Sequence, residues 1–132
     1  MDLHWRLFTN CTSPQAALKV AARIFQQAGL GVSNLHAEPY HKGGFMVSTC
    51  SSHAAQSWPE FVVLALTSAQ STGRGWLLSG SIAEELDAWS SHSSVSGVSS
   101  INIQAERHEW LIAGADSECR HDAAPETEVA SR

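Results

Sequence analysis

Two helix starts, one at Ser13-Pro14 and one at Ser57…Glu60, constrain the fold more than any other feature of this chain. Ser13 is a natural N-cap, and Pro14 stands at the first helical position, where a missing N–H costs no hydrogen bond. Beyond it Ala17, Leu18, Ala21, Phe25 and Ala28 fall on one stripe, with Ile24 beside it, until Gly29 or Gly31 stops the helix. Ser57 and Glu60 form an S-x-x-E capping box. The face that follows is Trp58, Phe61, Val62, Ala65, Leu66 and Ala69, and Gly73 closes it. Two amphipathic helices of this length each need an apolar surface to lie on.

The intervening segments supply that surface. In "HWRLFTNC" (4–11), Trp5, Leu7 and Thr9 point one way and His4, Arg6 and Phe8 the other, the period of a strand. "VSNLHAEPY" and "GFMVSTCSS" are extended runs joined by a His-Lys-Gly-Gly corner, which reads as a hairpin. "GWLLSG" is a short strand. A second S-x-x-E pattern, Ser81 to Glu84, precedes Ile82, Leu86 and Trp89 at helical spacing and predicts a short extra helix. "SSHSSVSGVSS" (90–100) predicts a flexible loop because seven of its eleven residues are serine. "INIQAERHEWLI" (101–112) is a last strand, with Ile101, Ile103 and Ala105 on one face. The order predicts an α+β fold: a ferredoxin-like βαββαβ sandwich, an antiparallel sheet with its helices on one face, plus the extra short helix and a C-terminal strand. Residues 1–113 make one αβ domain, and 114–132 an acidic tail too poor in large apolar residues to order itself.

Charge and cysteine content narrow the function. The 132 residues carry a formal net charge of −5. Residues 1–115 hold six basic and eight acidic groups, and residues 116–132 hold two and five. So few Lys and Arg make a poor binder of nucleic-acid phosphates and a better match for a basic partner. No segment approaches the ~20 apolar residues of a membrane span, and "MDLHWRLFTN" is no signal peptide. Three widely spaced cysteines, Cys11, Cys50 and Cys119, argue against a disulfide framework and predict reduced thiols in the cytoplasm.

Several clusters bear on chemistry. In "HAEPYHKGGF", His36 and Glu38 share a strand face, and His41 could curl back to complete a metal-binding set. The competing reading is a hairpin tip, with Pro39 interrupting the ladder and Gly43-Gly44 shaping the corner, and the absence of any rigid metal-site spacing favours it. Cys50 and His53 could pair as nucleophile and base, although no family signature surrounds them, and a structural cysteine is the commoner case. "GRGWLLSG" lacks the lysine ending of a phosphate loop. Glu84, Glu85 and Asp87 beside Trp89 read as an acidic patch with an aromatic anchor, suited to docking a protein. The sheet's open face, lined by His4, Arg6, Phe8, Phe45 and Val47, is a second binding option, too poor in basic residues for RNA.

Residues 3–112 resemble a class of small bacterial immunity proteins from polymorphic toxin and contact-dependent inhibition systems. The likeness rests on "WRLF", "SPQAALKVAARIFQQAGL", "SWPEFVVLALTSAQ" followed by "GWLLSGSIAEELDAW", and "GVSSINIQ". It is one of architecture and texture: small, acidic and αβ, with no catalytic motif. The resemblance implies a non-enzymatic, cytoplasmic inhibitor that needs no cofactor and no metal. Such a protein binds a cognate toxin domain, often a nuclease, and occludes its active site or substrate groove. Glu38, Tyr40, Glu84, Glu85, Asp87 and Trp89 are the expected contact residues, on a monomer or a weak homodimer paired through a sheet edge. Two alternatives are a small-molecule-binding regulatory module, holding its ligand near "TNCTSP", and an enzyme using His36, Glu38 and His41, or Cys50.

Overall fold

The computed structural model describes residues 1–107. Their elements are β1 (Asp2–Thr9), α1 (Pro14–Ala28), β2 (His36–Pro39), β3 (Phe45–Ser52), α2 (Trp58–Gln70), β4 (Gly73–Arg74), β5 (Leu77–Leu78), β6 (Glu85–Ser90), β7 (His92–Ser93) and β8 (Val98–Glu106). Six strands form one antiparallel sheet in the order β2-β3-β1-β8-β6-β5, while β4 and β7 pair separately. The fold is α+β, with two helices.

Both helices begin where the capping residues predict. The Ser13 hydroxyl accepts from the Ala16 N–H at 3.1 Å, and Gly29 closes α1 in the left-handed region at φ 70°. The Ser57 hydroxyl accepts from the Glu60 N–H at 3.2 Å. The Glu60 carboxylate in turn accepts from the Gln56 N–H at 2.8 Å, one residue before the cap. Gly73 does not end α2: Ser71 caps it, and Gly73 already belongs to β4.

Strand register explains the core. Trp5 lies opposite Ile103 and Thr49, and Leu7 opposite Ile101 and Val47, so these side chains share a face. Leu86 and Ala88 continue that face onto β6 through Ala105 and Ile103. They form one buried cluster with Ala17, Ala21, Ile24 and Phe25 of α1 and Phe61, Val62, Ala65 and Ala69 of α2. Both helices therefore lie on this side, and the Phe25 ring meets Trp5 edge-on at 5.2 Å. At ~25 cal/mol per Å² of apolar surface removed from water, a continuous core of this kind is the main term holding the sheet and helices together.

Three expectations are corrected. Residues 81–89 contain no helix: the chain makes a single turn, with the Glu84 and Glu85 N–H groups both donating to the Ser81 carbonyl, and then runs as β6. Helical spacing of Ile82, Leu86 and Trp89 is real, but Leu86, Ala88 and Ser90 also alternate, and a six-residue ladder with β8 favours that period. "GWLLSG" does not supply the strand beside β1. Only Leu77–Leu78 is extended there, at the sheet's outer edge, and β8 takes the place next to β1. The serine-rich stretch 90–100 is ordered. Ser90 donates to the Arg74 carbonyl at 2.6 Å, Ser93 to the carbonyls of Val95 and Val98, and Val95 is buried. Serine hydroxyls satisfy backbone groups locally, which stands in for regular structure. The last strand spans 98–106; the rest of the predicted strand and the proposed acidic tail lie outside the described residues.

Candidate functional site

The sheet face away from the helices is where the expected contact residues gather. Because Leu3, Trp5 and Leu7 turn inward, Asp2, His4, Arg6 and Phe8 of β1 turn outward. On β6 the inward set is Leu86, Ala88 and Ser90, which leaves Glu85, Asp87 and Trp89 outward. On β3, Met46 and Ser48 share the outward side with Phe8 and Arg6, their direct partners. Val47 is fully buried against the helices and Phe45 pairs with Thr9 on that inward side, so neither lines this face as expected. No described helix covers it.

Its most distinctive feature is a run of rings. Trp89 stacks on Phe8 with centroids 5.6 Å apart and planes 22° from parallel. Tyr40, at the β2–β3 corner, meets Phe8 edge-on at 4.9 Å, and His41 lies 4.6 Å from Tyr40. Trp89 remains 39% exposed, and its lateral neighbour Leu77 on β5 is 74% exposed. An apolar strip thus runs from the β5 edge to the hairpin tip. Beside Phe8 and the hairpin tip opens a cavity of about 230 Å³, lined in part by Tyr40, Lys42 and Ser100.

A polar relay lies alongside the strip. The Arg6 guanidinium donates to the Asn102 side-chain oxygen at 3.0 Å, and the Asn102 amide donates to Asp87 at 2.9 Å and to the Ala88 carbonyl at 3.0 Å. Asn102 is buried to 1% exposure, so its hydrogen bonds are shielded from water and fix both charged neighbours. Asp87 therefore has an internal role besides any at the surface.

The six expected contact residues divide. Glu38, Tyr40, Asp87 and Trp89 share this face, with Glu38 beside Met46 and hence in line with Phe8. Glu85 points the same way but sits opposite Glu106, at the far end of β6. Glu84 is in the preceding turn and does not belong to the strip. What sequence reading missed is Phe8 as the ring joining Tyr40 to Trp89, and Asn102 as the hub of the relay. The outward alternation of Phe8 was a usable signal, but its neighbours only follow from the strand order.

The catalytic candidates come apart. Among the described residues no group of three His, Cys, Asp or Glu side chains could hold a metal ion, and His41 packs on Tyr40. Cys50 and His53 do not face one another. His4 Nδ1 lies 3.3 Å from the Cys50 sulfur, whereas His53 Nε2 lies 2.7 Å from the Ser51 hydroxyl. Cys50 is disulfide-bonded and Cys11 is free, so the expectation of reduced thiols does not hold for Cys50, nor does its use as a thiolate. Ser51 and His53 resemble a nucleophile and base, yet Ser51 is 2% exposed and its oxygen already accepts the Trp5 indole N–H at 2.8 Å. Burial pushes the His53 imidazole below its ordinary pKa, helped by the nearby N-terminal ammonium and opposed by Asp2. This is a structural relay beneath the sheet.

No described helix is long and apolar enough to cross a membrane. No family model, no curated protein and no solved structure gave a match to the chain.

Proposed function

We propose that the chain is a protein-binding inhibitor that docks a partner on its outward sheet face, without catalysis of its own. The observation that carries this is the aromatic run Trp89–Phe8–Tyr40, continued by exposed Leu77. Rigid aromatic groups with one end exposed are the residues on which protein interfaces concentrate their affinity. The Arg6–Asn102–Asp87 relay alongside it holds the strands in place, so the strip is preorganised and loses little entropy on binding.

The identity of the partner rests on the sequence resemblance to immunity proteins, which makes it a toxin domain whose active site or substrate groove is covered. The strand order β2-β3-β1-β8, with α1 and α2 on one side, supports reading the core as ferredoxin-like. On that reading β4 to β7 are an insertion ahead of its fourth strand, and β6 and β5 widen the sheet and bring Trp89 to the strip.

Co-expression with the product of the gene immediately upstream tests the function. A product that is toxic alone, harmless with this protein and copurifies with it supports the reading. A harmless neighbour, or a toxic one that neither binds nor is neutralised, removes it.

A further inference from the structure

We infer that the cavity beside Phe8 is an anchor pocket for an aromatic side chain of the partner that has a carboxylate next to it. This deepens the docking reading and rests on it. Three observations carry the assignment. First, Phe8, Tyr40 and Trp89 give the cavity aromatic lining, and rings prefer offset-stacked or edge-on ring partners. Second, of the described residues lining it, only Lys42 is ionised, and Lys42 makes no ion pair or hydrogen bond among the described residues. Of the carboxylates on this face, Asp87 is already held by Asn102 and Glu38 lies beside Met46, and neither lines the cavity. The pocket itself is thus cationic on a chain that is acidic overall. Third, Asn10 and Ser100 also line it, and their side chains have no hydrogen-bond partner among the described residues. Two neutral hydrogen-bonding groups and one ammonium match a monoanionic carboxylate. A phosphate group calls for more donors, and an arginine or lysine would meet Lys42 head-on.

Size decides between a free ligand and a partner's side chain. At about 230 Å³ the cavity falls below the ~300–1,000 Å³ of sites that enclose a whole small molecule. It admits one ring and its charged neighbour, and it is open to solvent. A free ring of that size binds at ~1–10 mM in such a site, so useful affinity comes only when the ring belongs to a larger interface.

The probes are phenylacetate, phenylacetamide and benzylamine, titrated into the isotopically labelled full chain and followed by amide and indole resonances. Phenylacetate is expected to shift the Gly43 and Ser100 amides and the Trp89 indole N–H, and to bind at least fivefold more tightly than the amide or the amine. Lys42→Met is expected to erase the preference for acid over amide while leaving the remaining spectrum unchanged. The inference is overturned if these resonances stay still up to the solubility limit, if acid and amide act alike, or if Lys42→Met keeps the preference. None of these outcomes depends on the toxin co-expression result, so failure of the pocket and failure of the docking reading are told apart.

Discussion

Gly44→Ala tests how the hairpin corner holds the aromatic run, with Gly43→Ala as its internal control. Both glycines adopt positive φ, 105° at Gly43 and 75° at Gly44, so alanine strains either position by ~1–2 kcal/mol. Their surroundings differ. A Cβ at Gly43 meets nothing within 4 Å, whereas at Gly44 it runs into the backbone carbonyl of Thr9. Backbone cannot swing aside as a side chain does. Relief requires parting the last β1–β3 pair, Thr9 with Phe45, and with it the hydrogen bond from the Thr9 hydroxyl to the Phe45 carbonyl at 2.9 Å. One or two lost hydrogen bonds add ~1–3 kcal/mol. Gly44→Ala should therefore cost ~2–5 kcal/mol against ~1–2 for Gly43→Ala. At roughly 3–5 °C per kcal/mol for a chain of this size, calorimetry should show losses of ~6–25 °C and ~3–10 °C respectively, Gly44→Ala melting below Gly43→Ala. The same change should disturb Tyr40, whose N–H donates to the Gly44 carbonyl at 3.0 Å, and so reduce partner affinity as well. Equal melting temperatures for the two variants would refute the close approach to Thr9.

Further predictions follow from the relay, the buried histidine and the acidic residues. Asn102→Ala removes three hydrogen bonds from a site at 1% exposure and leaves Arg6 and Asp87 without their bridge, so urea denaturation should show a loss of ~2–4 kcal/mol; a loss below ~0.5 kcal/mol would mean the relay is not closed. His53 titrates below 6.5 when folded and at about 6.5 when unfolded, so the unfolded chain binds more protons between those values. Stability should then be complete above pH 6.5 and decline as the pH falls towards the folded value, and His53→Gln should flatten that stretch of the profile; a wild-type profile flat across it contradicts the burial argument. Glu84→Lys, in an exposed turn off the strip, should leave both stability and partner binding unchanged. Asp87→Lys should lower both, because it repels Arg6 across Asn102, and a matching response in the two variants would dissolve the distinction drawn between them.

Local chemistry was legible where it had no competitor. Ser13, Ser57 and Gly29 do what their side chains or lack of one allow, so the helices start and α1 stops as the sequence reads. Alternation in β1 was equally plain, since no other period fits Trp5 and Leu7. Residues 81–90 were ambiguous, and a partner strand some 15 residues further on decided the outcome, which no local window contains. The same non-local cause hid the site. Trp89 and Tyr40 were singled out separately, one on a supposed helix and one on a hairpin tip. Only the placement of β8 between β1 and β6 brings Trp89 onto Phe8.

The central claim is that the outward aromatic strip, and no other surface, receives the partner. Its most direct test is the affinity of the copurified partner for Trp89→Ala and for Val63→Ser, a residue 63% exposed on α2. Trp89→Ala forfeits ~0.5–1.5 kcal/mol of stacking with Phe8 and should still fold. The account predicts that it binds the partner at least ~30-fold more weakly, the ≥ 2 kcal/mol of an interface hot spot, while Val63→Ser binds as the parent does. Parental affinity in Trp89→Ala together with lost affinity in Val63→Ser would place the partner on the helices and contradict the account.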